Sequence, residues 1–320
     1  MVSFGYTAMC EQRGPSQLVD DIRGAEASGF DFALVTDHFH PWVEAQGHSP
    51  YAWSVLGAAA HVTERIWLMS FVTAPIIRYH PVIVAQKAAT VGVMADGRFR
   101  LGLGAGERLN ENVVGLGYPS VHIRHEMFIE AIEIIRELFK GGYVTHRGTH
   151  YDVDHAKLFD LPETPPEIGI ATSGPASCEI AGRLGDLMIS TDPEPELLRM
   201  FSEAGGQGKP VACHIPVCWG PDEAEQRKLA YEQFPWTMGG WKLQSELPNT
   251  TNFEAFASIV REEDVAGKIP CGPDIDPILE AAQPFIDAGY TDISFVQIGS
   301  NQAEFQQFFQ EQLGPALRAL

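Results

Sequence analysis

Short apolar runs alternate with longer amphipathic segments along most of the chain. Eight runs have the length and the apolar, β-branched composition of buried strands, whereas the segments between them repeat apolar residues at helical spacing. The predicted strands are Phe4–Met9, Phe30–Thr36, Ile66–Thr73, Arg98–Gly104, Ile168–Ser173, Asp186–Ser190, Val211–Cys218 and Asp292–Ile298. Predicted helices between them include Ser16–Ser28, Pro50–Thr63, Pro81–Ala95 and His125–Lys140.

This alternation predicts a parallel sheet with helices outside it, closed as a (β/α)8 barrel of the TIM type. An open, doubly wound sheet is the alternative arrangement. Gly29 and Gly97 follow two predicted helices, where glycine commonly ends a helix, and Ser16 can cap the first helix. The length of 320 residues suits one barrel domain, residues 1–320, with insertions.

Two segments interrupt the alternation. Residues 143–160 place an Arg147-Gly148 turn between β-prone flanks and predict a hairpin. Residues 234–276 are rich in tryptophan, glycine and proline and predict an irregular or partly helical excursion. Insertions at the carboxyl-end face of a barrel often shape a substrate pocket, but peripheral or subunit-contact loops explain these segments equally well.

Charge and composition argue against some classes of binding partner and indicate a cellular compartment. The formal net charge of −20 argues against binding to nucleic acid or to an anionic membrane surface, since both require a positive field. No apolar run reaches the ~18 residues of a membrane span, and we expect no signal peptide. The five cysteines are scattered and odd in number, which favours a reducing cytoplasm over a disulfide framework.

Titratable and aromatic side chains follow the predicted strands at their carboxyl ends. The run FDFALV leads into Asp37 and His38, and Trp42 comes four residues after the histidine. Glu107 follows another strand, and Glu11 ends the first. Because active sites of α/β proteins lie at the carboxyl ends of the strands, these side chains predict an enzyme. An imidazole such as that of His38 takes or gives protons near neutral pH.

The glycine-rich segment Gly102-Leu-Gly-Ala-Gly-Glu107 is not a dinucleotide fingerprint. A glutamate occupies the sixth position of the GxGxxG pattern, and the segment does not follow the first strand of a βαβ unit. Its small residues either let a strand end turn sharply or let a flat ring approach the backbone beside Glu107. The presence of Asn110 in the same loop favours a ring-binding loop.

A second glycine-containing turn, Ala171-Thr-Ser-Gly-Pro175, precedes a predicted helix over Ala176–Arg183. Backbone N–H groups at a helix start bind phosphate, but an ordinary strand-to-helix turn with Ser173 or Gly174 as the cap fits equally well. We expect no metal site, because the His38-x-His40 pair lacks a convincing third ligand. Cys213 and Cys218 would also point to opposite faces of one strand.

With these residues identified, the chain resembles the luciferase-like family, specifically its coenzyme F420-dependent oxidoreductase branch, which includes F420-dependent glucose-6-phosphate dehydrogenase. The motifs that carry the resemblance are TDHFHPW, QGHSP, RYHP, GAGERLNE and GPAS, and the likeness runs from Gly5 to about Asp192 and resumes near Asp287. The resemblance implies a TIM barrel that binds coenzyme F420, a deazaflavin, at the carboxyl ends of its strands. It also implies a homodimer and a small-molecule substrate.

The resemblance further implies roles for individual residues. His38 matches the general base, Glu107 matches the group that exchanges a proton with the reduced ring, and Trp42 and Glu11 would line the reacting centre. Phe71-Val72 matches a non-proline cis peptide that bulges against the ring. The residues that would bind the cofactor are Asp37, Phe71, Val72, Ala74, Ala105, Gly106, Asn110, Ser173, Gly174, Ala176 and Ser177.

The chain departs from the sugar-phosphate enzymes where those bind the substrate phosphate. Thr191 and Glu194 fall in the substrate region, and Glu194 stands where the relatives have a lysine. Ala74 also replaces a threonine. A carboxylate repels a phosphate dianion, so we expect a neutral or weakly anionic substrate, such as an alcohol, a ketone or an activated alkene, rather than glucose 6-phosphate. The alternatives are an FMN-dependent monooxygenase of the same fold and a non-catalytic cofactor-binding protein.

Overall fold

In the computed structural model, which describes residues 2–320, eight parallel strands form a closed ring. Each of the eight predicted strands coincides with a strand of this ring. A short antiparallel pair and one two-residue strand complete the β-structure. The strands are β1 (Ser3–Ala8), β2 (Phe32–Val35), β3 (Trp67–Ser70), β4 (Phe99–Leu103), β5 (Val144–Arg147), β6 (Asp152–Ala156), β7 (Glu167–Ala171), β8 (Leu187–Ile189), β9 (Val211–Trp219), β10 (Cys271–Gly272) and β11 (Asp292–Gln297).

The ring closes in the order β1-β2-β3-β4-β7-β8-β9-β11 and returns to β1. β1 pairs with β11 through Ser3 and Asp292, and β8 pairs with β9 through Met188 and Val211. The closure confirms the predicted (β/α)8 barrel and excludes the open, doubly wound sheet. Since every ring strand is parallel, all their carboxyl ends meet at one face, here called the barrel mouth.

Helices cover the outside of the ring, as the amphipathic segments predicted. The helices are α1 (Pro15–Ala27), α2 (Ala52–Val62), α3 (Pro81–Met94), α4 (Arg108–Glu111), α5 (Val121–Leu138), α6 (Pro175–Leu184), α7 (Pro195–Phe201), α8 (Glu223–Gln233), α9 (Trp241–Gln244), α10 (Thr250–Ala257), α11 (Glu262–Ala266), α12 (Asp276–Ala288), α13 (Gln302–Phe308) and α14 (Gly314–Leu317). The predicted capping role of Ser16 is wrong. Pro15 takes the first helical position, where its fixed φ is favourable, and Gly14 becomes the cap.

Much of the interior of the ring is apolar and closely packed. At Gly102, a Cβ atom would lie 2.0 Å from the carbonyl oxygen of Ser70, so the approach of β4 to β3 requires glycine. The remaining interior is filled by large side chains that form one buried cluster. Its members are Phe32, Leu34, Met69, Phe71, Leu187, Ile189 and Ala212. The floor of the barrel mouth, formed by this cluster, is therefore apolar except where the ring of His214 lies beside Phe71.

The two interrupting segments have the predicted character. β5 and β6 form the antiparallel hairpin. The turn of the hairpin binds to α5, where the Glu130 carboxylate accepts hydrogen bonds from the backbone N–H groups of Thr149, His150 and Tyr151. The tyrosine hydroxyl donates to the carbonyl of Ile76 at 2.7 Å, in the loop after β3. The hairpin thus reaches a loop of the barrel mouth.

Residues 234–276 are the predicted partly helical excursion and contain α9, α10 and α11. The excursion ends in β10, which pairs in parallel with the last residues of β9, Cys271 beside Cys218. The chain therefore leaves β9 at the barrel mouth and returns to the same point. Several of its apolar side chains pack against the loop that follows β2.

Candidate active site

Three side chains predicted from separate strand ends meet at the barrel mouth. Nδ1 of His38 lies 3.1 Å from Oε1 of Glu11, and Nε2 lies 3.2 Å from Oε1 of Glu107. Both distances allow an ion pair, although neither contact has the alignment of a hydrogen bond. The Glu11 side chain is fully buried, whereas those of His38 and Glu107 are 9% and 14% exposed. A histidine held between two carboxylates is suited to move a proton.

Glu11 is fixed from behind by a residue that the sequence did not reveal. The hydroxyl of Thr36 donates to Oε2 of Glu11 at 2.5 Å and accepts a hydrogen bond from the backbone N–H of Cys10 at 2.8 Å. Thr36 follows β2 directly, so the strand positions both the hydroxyl and His38 two residues later. The other oxygen of the Glu11 carboxylate remains directed at the imidazole.

Glu107 is held by its own loop. Asn110 donates a side-chain hydrogen bond to Oε1 of Glu107, and its amide oxygen accepts from the backbone N–H groups of Phe39, at 2.7 Å, and His40. Asn110 is 2% exposed and therefore joins the loop after β4 to the loop after β2. The two proton-transfer groups keep their separation because this one side chain binds both loops.

An aromatic wall closes one side of the histidine. The ring centroids of His38 and Trp42 lie 4.8 Å apart, and Trp42 stacks on Trp236 with centroids 4.3 Å apart and planes 7° apart. Phe253 contacts Trp42 edge-on at 5.1 Å. The side chain of Gln46 accepts the backbone N–H of Trp42 and donates to the carbonyl of Gln233, which ties the wall to the excursion. Trp236 and Phe253 were not predicted as site residues.

The carboxylate of Asp37 is engaged within the protein. It accepts hydrogen bonds from Thr73 Oγ1 at 2.6 Å, Trp53 Nε1 at 3.2 Å and Arg78 Nη2 at 3.0 Å. Its side chain is 1% exposed. These bonds fix the loop after β2, and a contact between Asp37 and a cofactor stays a prediction.

Arg78 also approaches a second carboxylate, Glu111, which accepts the backbone N–H groups of Ile77 and Arg78. Burial raises the pKa of Glu111 to about 7, against the opposing effect of these bonds and of the arginine. Burial alone would lower the pKa of the Arg78 guanidinium, but the carboxylate of Asp37, together with the neighbouring acidic groups, raises it. Arg78 therefore remains charged in this network.

Beside this network, the partly exposed surface of the barrel mouth between the loops after β3 and β4 is here called the cleft. The Phe71-Val72 peptide bond is cis, as the resemblance implied. Val72, Ala105 and Gly106 are partly exposed in the cleft, whereas Phe71 and Ala74 are buried at 8% and 6%. Gly106 has a φ of 77°, and a Cβ there would lie 2.9 Å from atoms of Glu111 and Ile76, so this turn requires glycine.

The start of α6 also faces the mouth, since α6 follows β7 directly. Gly174 is the helix cap, and Oγ of Ser177 accepts the backbone N–H groups of Ser173 at 3.0 Å and Gly174 at 3.2 Å. The backbone N–H groups of Ala176 and Ser177 make no hydrogen bond within the described structure. Two donors at a helix start are thus free to bind an anion.

Thr191 and Glu194 lie in the loop after β8, and both are exposed. Glu194 caps α7, and its charge helps to raise the pKa of the Cys178 thiol in α6, although burial is the larger cause. The loop is anchored by Tyr290, whose hydroxyl donates to the carbonyl of Asp192 at 2.8 Å. The loop that carries Glu194 thus follows β8, the strand that pairs with β7.

Residues 2–320 contain no group of three or more His, Cys, Asp or Glu side chains placed to hold a metal ion. Among the same residues, no helix combines the length and apolar composition needed to cross a membrane.

A family model described as luciferase-like monooxygenase matches residues 2–271. The F420-dependent glucose-6-phosphate dehydrogenase of Microbacterium testaceum is 35% identical over 98% of this chain and 97% of its own length. That of Beutenbergia cavernae is 34% identical over 100% of this chain and 98% of its own length. The chain belongs to the luciferase-like family, in its F420-dependent oxidoreductase branch. The predicted family is confirmed.

Among solved structures, the chain is similar to an F420-dependent secondary alcohol dehydrogenase in complex with an F420-acetone adduct. The TM-score is 0.92 and the sequence identity 26%, with 99% of both chains covered. The luciferase-like barrel is therefore shared over the full length. Relatives in this branch include both a sugar-phosphate dehydrogenase and an alcohol dehydrogenase, so membership does not determine the substrate.

The residues present fit the cofactor of this branch. Ala105 and Ala171 are partly exposed and carry only a methyl group, which suits a surface against which a flat ring packs. The free N–H groups at the start of α6 suit a phosphate. Glu107 lies at the edge of the same cleft, where a proton donor or acceptor would reach a ring bound there.

Proposed function

We propose that this chain is a coenzyme F420-dependent oxidoreductase that transfers a hydride between the deazaflavin and a small organic substrate. The substrate would be an alcohol or carbonyl compound, or an activated alkene. The observation that carries the proposal is the position of His38 between Glu11 and Glu107, beside Trp42. A protein that merely carries the cofactor needs no such set of proton-transfer groups.

His38 acts as the general base for an alcohol. Removal of a hydride from the alcohol carbon yields a carbonyl only when the hydroxyl proton is also removed. Glu11 faces Nδ1 and orients the imidazole, so Nε2, which lies 3.2 Å from Oε1 of Glu107 at the barrel mouth, is the nitrogen that would accept the proton. Carbonyl reduction uses the same groups in reverse, and His38 then donates the proton.

Coenzyme F420 supplies the hydride-accepting ring when it is bound. Glu107 would exchange a proton with that ring, and Asn110 holds the carboxylate in place. Phe71, Val72, Ala74, Ala105 and Gly106 would contact the ring, while Asp37 would fix the adjoining loop. Ser173, Gly174, Ala176 and Ser177 would bind its phosphate.

The substrate is small and uncharged. Trp42, stacked on Trp236, gives the reacting centre an apolar wall. Thr191 and Glu194 border the substrate region, and the carboxylate of Glu194 opposes a phosphate dianion there. Glucose 6-phosphate is therefore a poor substrate, although relatives at 35% and 34% identity are named for that activity. Its turnover with a micromolar KM would contradict this part of the proposal.

Side-by-side fluorescence titrations of the purified protein with oxidised F420 and with FMN test the cofactor. Tight and selective binding of F420 supports the proposal. Alcohols, ketones and enones would then be screened by the absorbance of the coenzyme. Preferential binding of FMN would instead assign the chain to the monooxygenases of this family.

The remaining assignments are also proposals. We assign the enzyme to the cytoplasm because its five cysteines are scattered and odd in number, which suits a reducing compartment. We further propose that residues 1–320 form one domain and that the enzyme is a homodimer, as the resemblance implies. Sedimentation analysis measures the oligomeric state.

A further inference from the structure

His214 belongs to the inner face of the barrel and is partly exposed there. It lies in β9, and its ring packs against that of Phe71 with centroids 4.8 Å apart. His214 and Pro216, on the inner side of the strand, are partly exposed, whereas Cys213, Ile215 and Val217 are buried under the outer helices. The imidazole of His214 therefore keeps some exposure inside the barrel.

Neither ring nitrogen of His214 has a hydrogen-bond partner among residues 2–320. Nδ1 is buried, whereas Nε2 keeps some exposure. The neighbouring hydroxyl of Ser294 is already bonded to Thr7 and to the carbonyl of Cys213. A polar group in such a position requires an explanation, because buried polar groups are nearly always paired.

The charge and the tautomer of this imidazole follow from its surroundings. Burial lowers the pKa of His214 to about 4, so the ring is neutral at neutral pH. A neutral imidazole has one donor and one acceptor nitrogen. A buried N–H without a partner is rarer in proteins than an unpaired acceptor. The proton therefore belongs on Nε2, and His214 presents a hydrogen-bond donor inside the barrel.

We propose that His214 donates this hydrogen bond to the phenolic oxygen of the deazaflavin and so selects F420 over FMN. This assignment rests on the proposed function, because His214 would distinguish F420, the cofactor proposed there, from FMN. F420 carries a hydroxyl on its benzenoid ring, whereas FMN carries methyl groups there. The two cofactors differ at this point in hydrogen-bonding capacity as well as in shape.

The arrangement of the mouth supports this orientation. Glu107 follows β4 and would serve the pyrimidine end of the ring, while the phosphate site follows β7 at the start of α6. β9 lies two strands beyond β7 in the ring order, away from β4. The benzenoid end, opposite the pyrimidine, would then extend toward the strand that carries His214.

The imidazole of His214, on the floor of the barrel mouth, carries much of the discrimination between F420 and FMN. The cluster around Phe71 is otherwise apolar, with Met69, Leu187 and Ile189 among its members. A site built to hydrogen-bond a hydroxyl rejects an analogue without it, because the protein donor is left unpaired. With F420 the donor is satisfied; with FMN it faces a methyl group.

The test compares wild-type protein with His214→Gln, His214→Asn and His214→Phe in titrations with F420 and FMN. The side-chain nitrogen of glutamine can occupy the position of Nε2, whereas that of asparagine corresponds to Nδ1. Circular dichroism verifies folding. The visible absorption of bound F420, recorded against pH, reports ionisation of its phenol and does not depend on turnover.

We expect His214→Asn and His214→Phe to lower F420 affinity about tenfold, the loss of one hydrogen bond, while FMN affinity stays equal or rises. The phenol of bound F420 should ionise at higher pH in both, and His214→Gln should restore both properties. Wild-type-like affinity and absorption in all three variants would overturn this inference and leave the proposed function standing. Failure of the wild-type protein to bind F420 would overturn both.

Discussion

The hydroxyl of Thr36 donates to one oxygen of the Glu11 carboxylate, at 2.5 Å, and leaves the other oxygen facing His38. The carboxylate is fully buried, so it cannot exchange this partner for water. Thr36 therefore positions the imidazole of His38 through Glu11 without contacting the substrate.

Replacement of Thr36 by valine should lower kcat about tenfold with little change in KM, since the base would lose its fixed orientation. The variant should also be less stable by about 1–3 kcal/mol, because buried polar groups of Glu11 and Cys10 lose their partner. Steady-state kinetics and urea unfolding measure the two effects. Thr36→Ser keeps the hydroxyl and should restore kcat; a valine variant with wild-type kcat and pH profile would exclude the positioning role.

Replacement of His38 by alanine should reduce kcat by about 10²–10⁴-fold, the usual contribution of a general base. Binding of F420 should persist, because the proposed phosphate site at α6 is untouched. Stopped-flow reduction of F420 by the best alcohol measures the loss. His61→Ala, an exposed histidine at the end of α2, serves as the control. Unchanged turnover in the His38 variant would favour a carrier protein.

Replacement of Trp236 by alanine should release Trp42 from its stacked position and enlarge the substrate pocket. We expect a higher KM for small alcohols and measurable turnover of bulkier ones. Loss of this largely buried ring should also destabilise the protein by about 3–5 kcal/mol. Trp236→Phe retains an aromatic surface and should lie between the two. An unchanged substrate profile in the alanine variant would show that the wall does not define the pocket.

Replacement of Glu194 by lysine should raise kcat/KM for glucose 6-phosphate about tenfold, because an ammonium group replaces a repelling carboxylate. The control is Glu196→Lys, which makes the same charge change at an exposed position of α7. If both variants gain equally, net charge rather than the position of Glu194 explains the effect. Initial rates over a range of sugar-phosphate concentrations provide the comparison.

Stability should depend on pH through His214. Its folded-state pKa, about 4, lies below the ordinary value of 6.5, because burial disfavours the charged ring. Between pH 4 and pH 6.5 the unfolded chain binds more protons than the folded chain, so the free energy of unfolding rises with pH across this window. On acidification through the same window, the stability contributed by neutral His214 is lost. His214→Gln removes the titration. Urea unfolding at about pH 5 and about pH 7.5 should therefore show a smaller difference in this variant than in the wild type. Equal differences would contradict the assignment.

The strand ends explain why much of the site was readable from sequence. His38, Glu11 and Glu107 each follow an apolar run, and parallel strands in a closed barrel bring such positions together. The pattern therefore predicted that these three residues converge. Glycine spacing in the loop after β4 left two interpretations open, a sharp turn or a surface for a flat ring. The positive φ of Gly106 supports the turn, and the ring surface stays a prediction.

Contacts that arise from packing could not be predicted from the sequence. Trp236 reaches Trp42 across the excursion, and no local periodicity specifies where so irregular a segment folds back. In the sequence, Thr36 is only the last residue of a predicted strand. Its positioning role could not be predicted, because that role depends on the buried carboxylate of Glu11, which lies far away in the chain. The role of His214 could not be predicted either. Its ring nitrogens lack partners because the neighbouring Ser294 hydroxyl is already bonded to Thr7, and only the folded structure shows this.

The short parallel pairing of β10 with β9 has a consequence for how this enzyme diversifies. Because Cys271 sits beside Cys218, the two ends of the excursion stay at a fixed separation whatever the length between them. The energetic cost of a longer loop grows slowly with its length. An excursion of different size or sequence can thus be exchanged at this junction while the barrel keeps its proton-transfer groups. The residues that complete the aromatic wall, Trp236 and Phe253, thus lie in a different segment of the chain from the proton-transfer groups.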